Sequence, residues 1–195
     1  MRNPVRTAAV AAGCLAALLV PAAASARTAP VGAALAPHLY WAENGGTIMA
    51  ANLNGTGVTT LVTGQAEPVG VAVSSSHLYW ADYSGTIMES NLDGTGVTTL
   101  VTGQKSPTGV AVNSSHIYWA NYGDDTIKEA SLSGTGATTL VTGQTGPVGL
   151  ALRGSHIYWA NLGGGTIVAA SLTGTGVTTL VSGQPLPEGM AVGPQ

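Results

Sequence analysis

Short apolar runs alternate with glycine- and threonine-rich turns along this chain, and no segment carries the 3.6-residue rhythm of a helix. The order is clearest from Pro68 to Val101. Pro68-Val69-Gly70-Val71-Ala72-Val73 is an apolar run opened by proline and glycine, and three serines follow it. His77-Leu78-Tyr79-Trp80-Ala81 is apolar and aromatic on both faces. After the polar stretch Asp82-Tyr83-Ser84-Gly85 comes a third run, residues 86–92, and then a β-branched fourth, residues 97–101. Asp93-Gly94 between them is a hairpin signal, because both residue types tolerate positive φ. The pattern predicts four short strands in an antiparallel meander.

The same order recurs four times. His-Leu/Ile-Tyr-Trp-Ala begins at His38, His77, His116 and His156, at spacings of 39, 39 and 40 residues. Gly-Thr-Ile or a close variant, Gly-Thr-Gly, Thr-Thr-Leu-Val and Pro-x-Gly follow each copy in that order. Four units result: 38–76, 77–115, 116–155 and 156–192. A period near 40 marks a supersecondary unit that buries its apolar faces only against copies of itself.

Polarity along the unit then sets the architecture. A two-layer sandwich would alternate apolar and polar residues along most strands. Here the first two strands have no polar face, and polar positions gather in the third (Glu89, Ser90, Asn91) and fourth (Thr98, Thr99). A sheet covered on both faces near one edge and wetter at the other is a propeller blade. The expected fold is therefore all-β, a β-propeller of four four-stranded blades, as a single domain over residues 27–195. Trp41, Trp80, Trp119 and Trp159 fall at one place in every unit. A position fixed by the repeat serves packing, so these indoles are expected to wedge between blades and not to form a ligand-stacking ring.

Tyr79-Trp80-Ala81-Asp82, followed by Ile87, Asn91-Leu92-Asp93-Gly94 and Pro107-x-Gly109-Val110-Ala111-Val112, resembles the YWTD repeat, the class B repeat of the low-density-lipoprotein receptor family. The wording Tyr-Trp-Ala-Asn is also similar to that of secreted bacterial repeat proteins. The resemblance covers residues 30–192 and implies a propeller whose proline-glycine strand is innermost. Departures are specific. Alanine replaces the motif threonine at Ala42, Ala81, Ala120 and Ala160. The motif aspartate survives only at Asp82, with Glu43, Asn121 and Asn161 elsewhere, so its role is expected to be hydrogen-bond acceptance and not charge. Receptor propellers usually have six blades. Residues 31–35 and 188–192 both read as inner strands, one too many for four closed blades. Either the C-terminal strand closes a small ring, or an open arc starts a fifth blade and self-associates into a homo-oligomer through its unpaired edge.

The first 26 residues stand apart. Two arginines, an apolar run of alanine, leucine and valine, and Ala24-Ser25-Ala26 make a secretory signal peptide cleaved after Ala26, which predicts a secreted protein. The run is too short for a membrane span. Cys14 sits inside the apolar run instead of closing it, which argues against lipid attachment. Beyond the leader, four basic residues face nine acidic ones and only 8% of the chain is charged. No basic patch suits nucleic acid.

No nucleophile elbow, zincin or paired-cysteine motif is present, and no cofactor is implied. The four histidines begin strands that the repeat symmetry holds apart, so no metal site is expected of them. Exposed positions that vary between units cluster in two loop sets on one face. Glu67, Asp82, Tyr83, Lys105, Tyr122, Asp124 and Asp125 are the binding candidates there. A non-enzymatic binding or scaffold module with an extracellular protein or glycan partner follows. The alternative is an enzyme like the calcium-dependent lactonases or streptogramin lyases, which would need polar groups such as Glu67 and Glu188 to converge on the channel. Gln65, Gln104, Gln144 and Gln184, one per repeat, suggest a structural duty.

Overall fold

The structure, a computed structural model, describes residues 38–193. The leader at 1–26, Cys14 and the strand expected at 31–35 lie outside the described residues. From His38 to Val181 every apolar run becomes a strand, because each is short, rich in β-branched and aromatic residues, and bounded by residues that turn the chain. Blade one holds β1 (His38–Glu43), β2 (Thr47–Asn52) and β3 (Thr59–Val62). Blade two holds β4 (Pro68–Val73), β5 (His77–Asp82), β6 (Thr86–Asn91) and β7 (Thr98–Val101). Blade three holds β8 (Pro107–Val112), β9 (His116–Asn121), β10 (Thr126–Ser131) and β11 (Thr138–Val141). Blade four holds β12 (Pro147–Arg153), β13 (His156–Asn161), β14 (Thr166–Ser171) and β15 (Thr178–Val181). All pairing is antiparallel between consecutive strands. A sheet thus opens on the proline strand, at an edge where the missing N–H costs no ladder bond.

Register repeats with the sequence. Pro68 faces Asp82, the ladder shifts over Val69-Gly70, and Val71 then faces Trp80. The same shift occurs between β8 and β9 and between β12 and β13. The shifted glycines lie at the hub. A Cβ on Gly70 would strike the Thr108 carbonyl, and one on Gly109 would lie 2.8 Å from the Leu150 nitrogen. Neighbouring inner strands therefore touch backbone to backbone.

Between blades lie three apolar clusters. Trp80 packs with Ile48 and Val62 of the preceding blade, and Trp119 packs with Ala81, Ile87 and Val101. Trp159 joins Ala120, Ile127 and Val141. All three indoles are 0% exposed. Their one polar atom is answered as well. Trp80, Trp119 and Trp159 Nε1 donate to Oε1 of Gln65, Gln104 and Gln144 at 3.1, 2.9 and 2.9 Å. Three of the four repeat glutamines are thus acceptors for the buried tryptophans. Trp41 differs: it is only partly buried and donates to Glu43 of its own blade at 3.2 Å.

Two local expectations are corrected. In the β6–β7 hairpin, left-handed backbone falls on Gly94 and Gly96, not on Asp93. Asp93 instead accepts from the Thr95 N–H at 3.0 Å and hydroxyl at 2.6 Å. Those two bonds, the hydroxyl's first, hold its carboxyl below the ordinary carboxylate range. Second, residues 188–192 form no strand, for no neighbouring strand offers them a ladder among the described residues. Their place is still that of an inner strand. The Glu188 carbonyl and Met190 nitrogen crowd Gly149 as the Thr108 carbonyl and Val110 nitrogen crowd Gly70. Of the two arrangements the sequence leaves open, the described residues adopt the open arc. β15 is exposed along its whole length, whereas β3, β7 and β11 each bury their final valine.

Candidate functional site

Backbone hydrogen bonds bring both variable loop sets to one face. Tyr83 N–H donates to the Glu67 carbonyl at 2.8 Å, Tyr122 N–H to Ser106 at 3.1 Å and Leu162 N–H to Gly146 at 2.9 Å. Each turn after the Tyr-Trp strand is thereby zipped to the segment that leads into the same or the next blade. This rigid frame fixes where the candidate side chains stand.

Asp82 is turned inward and 5% exposed. Its carboxylate accepts the Ala66 and Glu67 N–H groups at 2.9 and 2.7 Å and the Ser84 hydroxyl at 3.1 Å. It braces the loop and does not reach the open face. The expected acceptor role holds at Asp82 and at Glu43, which accepts from Trp41 Nε1 and the Thr47 hydroxyl, but is corrected at Asn121 and Asn161. Asn121 and Asn161 donate through Nδ2 to Gln104 and Gln144 at 3.2 Å, tightening the tryptophan–glutamine pair. Asp82→Ala should therefore cost ~2–3 kcal/mol, because it strands two backbone donors, whereas Asp82→Asn, which keeps an acceptor oxygen, should cost ~1 kcal/mol or less. Equal losses for the two variants in chemical denaturation would refute the brace.

Glu67 and Tyr83 do meet. With Asn44 and Val69 they line a cleft of about 310 Å³ at the junction of blades one and two. Asn44, a position in the variable loop set, and Val69 line it too, although neither is among the binding candidates. Val69 lies in the shifted part of β4, and nothing in a single apolar run shows which valine the shift turns outward. Tyr122, Asp124 and Asp125 belong to another junction. The Tyr122 ring lies over Gly146, where a Cβ would sit 2.9 Å from Cε2. Asp125 takes a left-handed φ of 58° and accepts the Gly146 N–H at 2.9 Å. Asp124 accepts the Thr126 hydroxyl at 2.7 Å. Lys105 is exposed, and its carbonyl accepts the Gly123 N–H at 2.9 Å. The candidates thus divide into an open cleft carrying Glu67 and Tyr83 and a self-bonded loop over blade four.

The histidines stand at the opposite ends of their strands. His77, His116 and His156 each pair Nδ1 with the preceding serine, at 2.8, 2.9 and 3.3 Å, and each stacks at a tilt near the tyrosine two residues on. Beneath them, burial raises the Tyr79 and Tyr118 phenols, against the lowering hydrogen bonds of Ser74 and Asn113. A second cleft, about 480 Å³, lies on that side among Ser74–Ser76, Val112–Ser114 and Leu132. Sequence reasoning treated those serines as turn residues only.

No family profile and no curated protein matches the chain. Solved structures do. A chain of the nidogen–laminin complex superposes with a TM-score of 0.74 at 22% identity, over 80% of this chain and 64% of that one. Virginiamycin B lyase from Staphylococcus aureus superposes with a TM-score of 0.63 at 15% identity, over 73% of this chain and 51% of that one. The fold is a β-propeller. This propeller spans about two thirds of the length of the first structure and about half of the second, so their full sizes exceed it. Among the described residues no helix is long and apolar enough to cross a membrane.

Proposed function

We propose that this propeller is an exported, non-enzymatic binding module whose loop face takes a protein segment. The observation that carries this reading is the cleft between blades one and two. It offers one carboxylate with no ion-pair partner among the described residues (Glu67), one aromatic ring (Tyr83), one amide (Asn44) and an outward valine (Val69) on a backbone fixed by the Tyr83–Glu67 bond. That set suits a cationic side chain flanked by an apolar one, held by charge-assisted hydrogen bonding and ring contact. Export rests on the leader pattern of residues 1–26. The complex of nidogen with laminin gives a precedent for a propeller with a protein partner. The lyase precedent fits less well, because Gln65, Gln104 and Gln144 are engaged by tryptophans and Asp82 is engaged by backbone.

A peptide array probed with the intact chain, and again with Glu67→Ala/Tyr83→Ala, tests the assignment. Basic-aromatic or basic-aliphatic peptides should be retained by the parent chain and lose at least about tenfold in affinity with the variant, the scale of an interface anchor. Retention of the same peptides by both forms would place binding elsewhere.

A further inference from the structure

The two ends of the arc are the two halves of a junction that the chain itself builds three times. At each internal junction the leading blade offers a glutamine acceptor, a buried valine and a leucine carbonyl. The following blade brings a tryptophan donor, a fully buried Leu78, Ile117 or Ile157, and a turn glycine. Gly94, Gly134 and Gly174 sit against the carbonyls of Leu61, Leu100 and Leu140, so closely that a Cβ would collide.

Blade four repeats the leading half with nothing on it among the described residues. Gln184 is posed like its counterparts, its Nε2 donating to the Ser182 carbonyl at 3.2 Å as Gln65 Nε2 does to Thr63. No donor meets its Oε1 among the described residues. Leu180 and Val181 are 53% and 44% exposed, whereas Val62, Val101 and Val141 are 5–9% exposed. Blade one repeats the following half in the same way. Leu39 is 48% exposed where Leu78, Ile117 and Ile157 are 0%. Leu53 is exposed, while its counterparts Leu92, Leu132 and Leu172 pack on the clusters. Gly55 has nothing within 4 Å of a Cβ. Trp41 donates to Glu43, no glutamine reaching it among the described residues.

We propose that blade four of one copy docks on blade one of a second copy of this chain. Residues 187–192 of the first copy then lie as the innermost strand beside β1 of the second, on the edge where β1 has no partner among the described residues, and so take the place that the sequence also offers to that copy's own residues 31–35. The register follows from β4 and β5: Pro187 opposite Glu43, Met190 opposite Trp41, Ala191 opposite Tyr40 and Val192 opposite Leu39. Trp41 Nε1 of the second copy donates to Gln184 Oε1 of the first. Gly55 of the second settles on the Leu180 carbonyl of the first. Strand addition at a free edge supplies the ladder, and the indole, leucine and valine supply the apolar contact. The contact is head-to-tail: one copy uses its blade-four face and the other its blade-one face. The same register sets Gly189 against the strand that carries Val69, so the docked strand runs beside the cleft assigned above, and the two readings are told apart by their readouts, mass for assembly and peptide retention for the cleft.

Size-exclusion chromatography with light scattering tests this on the intact chain. The parent chain should run at the mass of two copies or more, and dissociate on dilution. Leu180→Glu and Leu39→Glu each alter a side chain already half in water, so both should fold, with unchanged circular dichroism, and both should be monomeric alone. An equimolar mixture should form a two-copy complex, since each variant retains the face the other has lost. A parent chain that is monomeric at every concentration would overturn the proposal. So would a Leu180→Glu variant that assembles like the parent, or a mixture that stays monomeric. Should a glutamate variant unfold, Gln184→Ala paired with Leu39→Ser poses the same question by weakening each face.

Discussion

Trp119→Ala unfolds the chain or lowers its melting point steeply. The indole is fully buried between blades two and three, among Ala81, Ile87, Val101 and Ile117, so truncation removes the largest body from that cluster. A buried tryptophan replaced by alanine costs ~3–5 kcal/mol, and the surrounding sheets cannot collapse into the gap without parting the hub strands. The Gln104 side-chain carbonyl also loses the nearer of its two donors, worth ~1 kcal/mol, and keeps Asn121 Nδ2. Domains of this kind have stabilities of only ~5–15 kcal/mol, so this one change removes a large fraction of the whole. Trp119→Phe separates the terms, for it keeps much of the apolar area and loses only the indole N–H. Trp41→Ala is the matched control. That ring is partly exposed and packs in none of the three clusters, so its loss should be milder by at least ~2 kcal/mol. Calorimetry of the three variants decides. A Trp119→Ala protein melting within a few degrees of the parent, or a Trp41→Ala protein damaged equally, would end the wedge assignment.

The asymmetry between Trp41 and Trp119 also shows what a repeat sequence can and cannot say. The four copies read alike, so sequence places all four tryptophans in the same role. Strand order, blade composition, the proline-led inner strand and the common loop face follow from that likeness, because each depends on interactions within one unit or between identical neighbours. What escapes is anything that depends on having no neighbour. Leu39 and Leu78 occupy the same place in the pattern, and only the arc's end makes one exposed and the other buried. Asp82 was legible as an acceptor, yet its inward turn was not. The residues that engage it are backbone donors of Ala66 and Glu67, which no side-chain pattern marks. Asp125 was legible as a variable acidic position. Its left-handed backbone and its bond to Gly146 come from the extra residue in the third unit, which must be absorbed in that turn. Val69 and Asn44 escaped because they come together only across a junction between blades.

Gly109→Ala should be as damaging to the hub as Trp119→Ala is to the wedge, and it tests the opposite physical limit. A Cβ there lies 2.8 Å from the Leu150 nitrogen, 3.0 Å from the Gly149 Cα and 3.0 Å from the Val148 carbonyl oxygen. All three are backbone atoms of the next inner strand, so no side chain can rotate away. Relief requires blades three and four to separate, which opens the cluster around Trp159. A cost of at least ~2–3 kcal/mol is expected from overpacking alone. Gly189 fills the same place in the repeat, but nothing lies within 4 Å of a Cβ built on it. Gly189→Ala should therefore leave the isolated chain unchanged, or raise its stability by ~0.5 kcal/mol through the lower entropy of the unfolded state. In the head-to-tail pair the register places Gly189 against β4 of the second copy, as Gly70 lies against β8. The same silent substitution should then weaken assembly. Denaturation of the dilute chain and light scattering of the concentrated one separate the two effects: loss of stability at Gly189 would show that the hub is already closed there, and unaltered assembly would show that no second hub strand arrives.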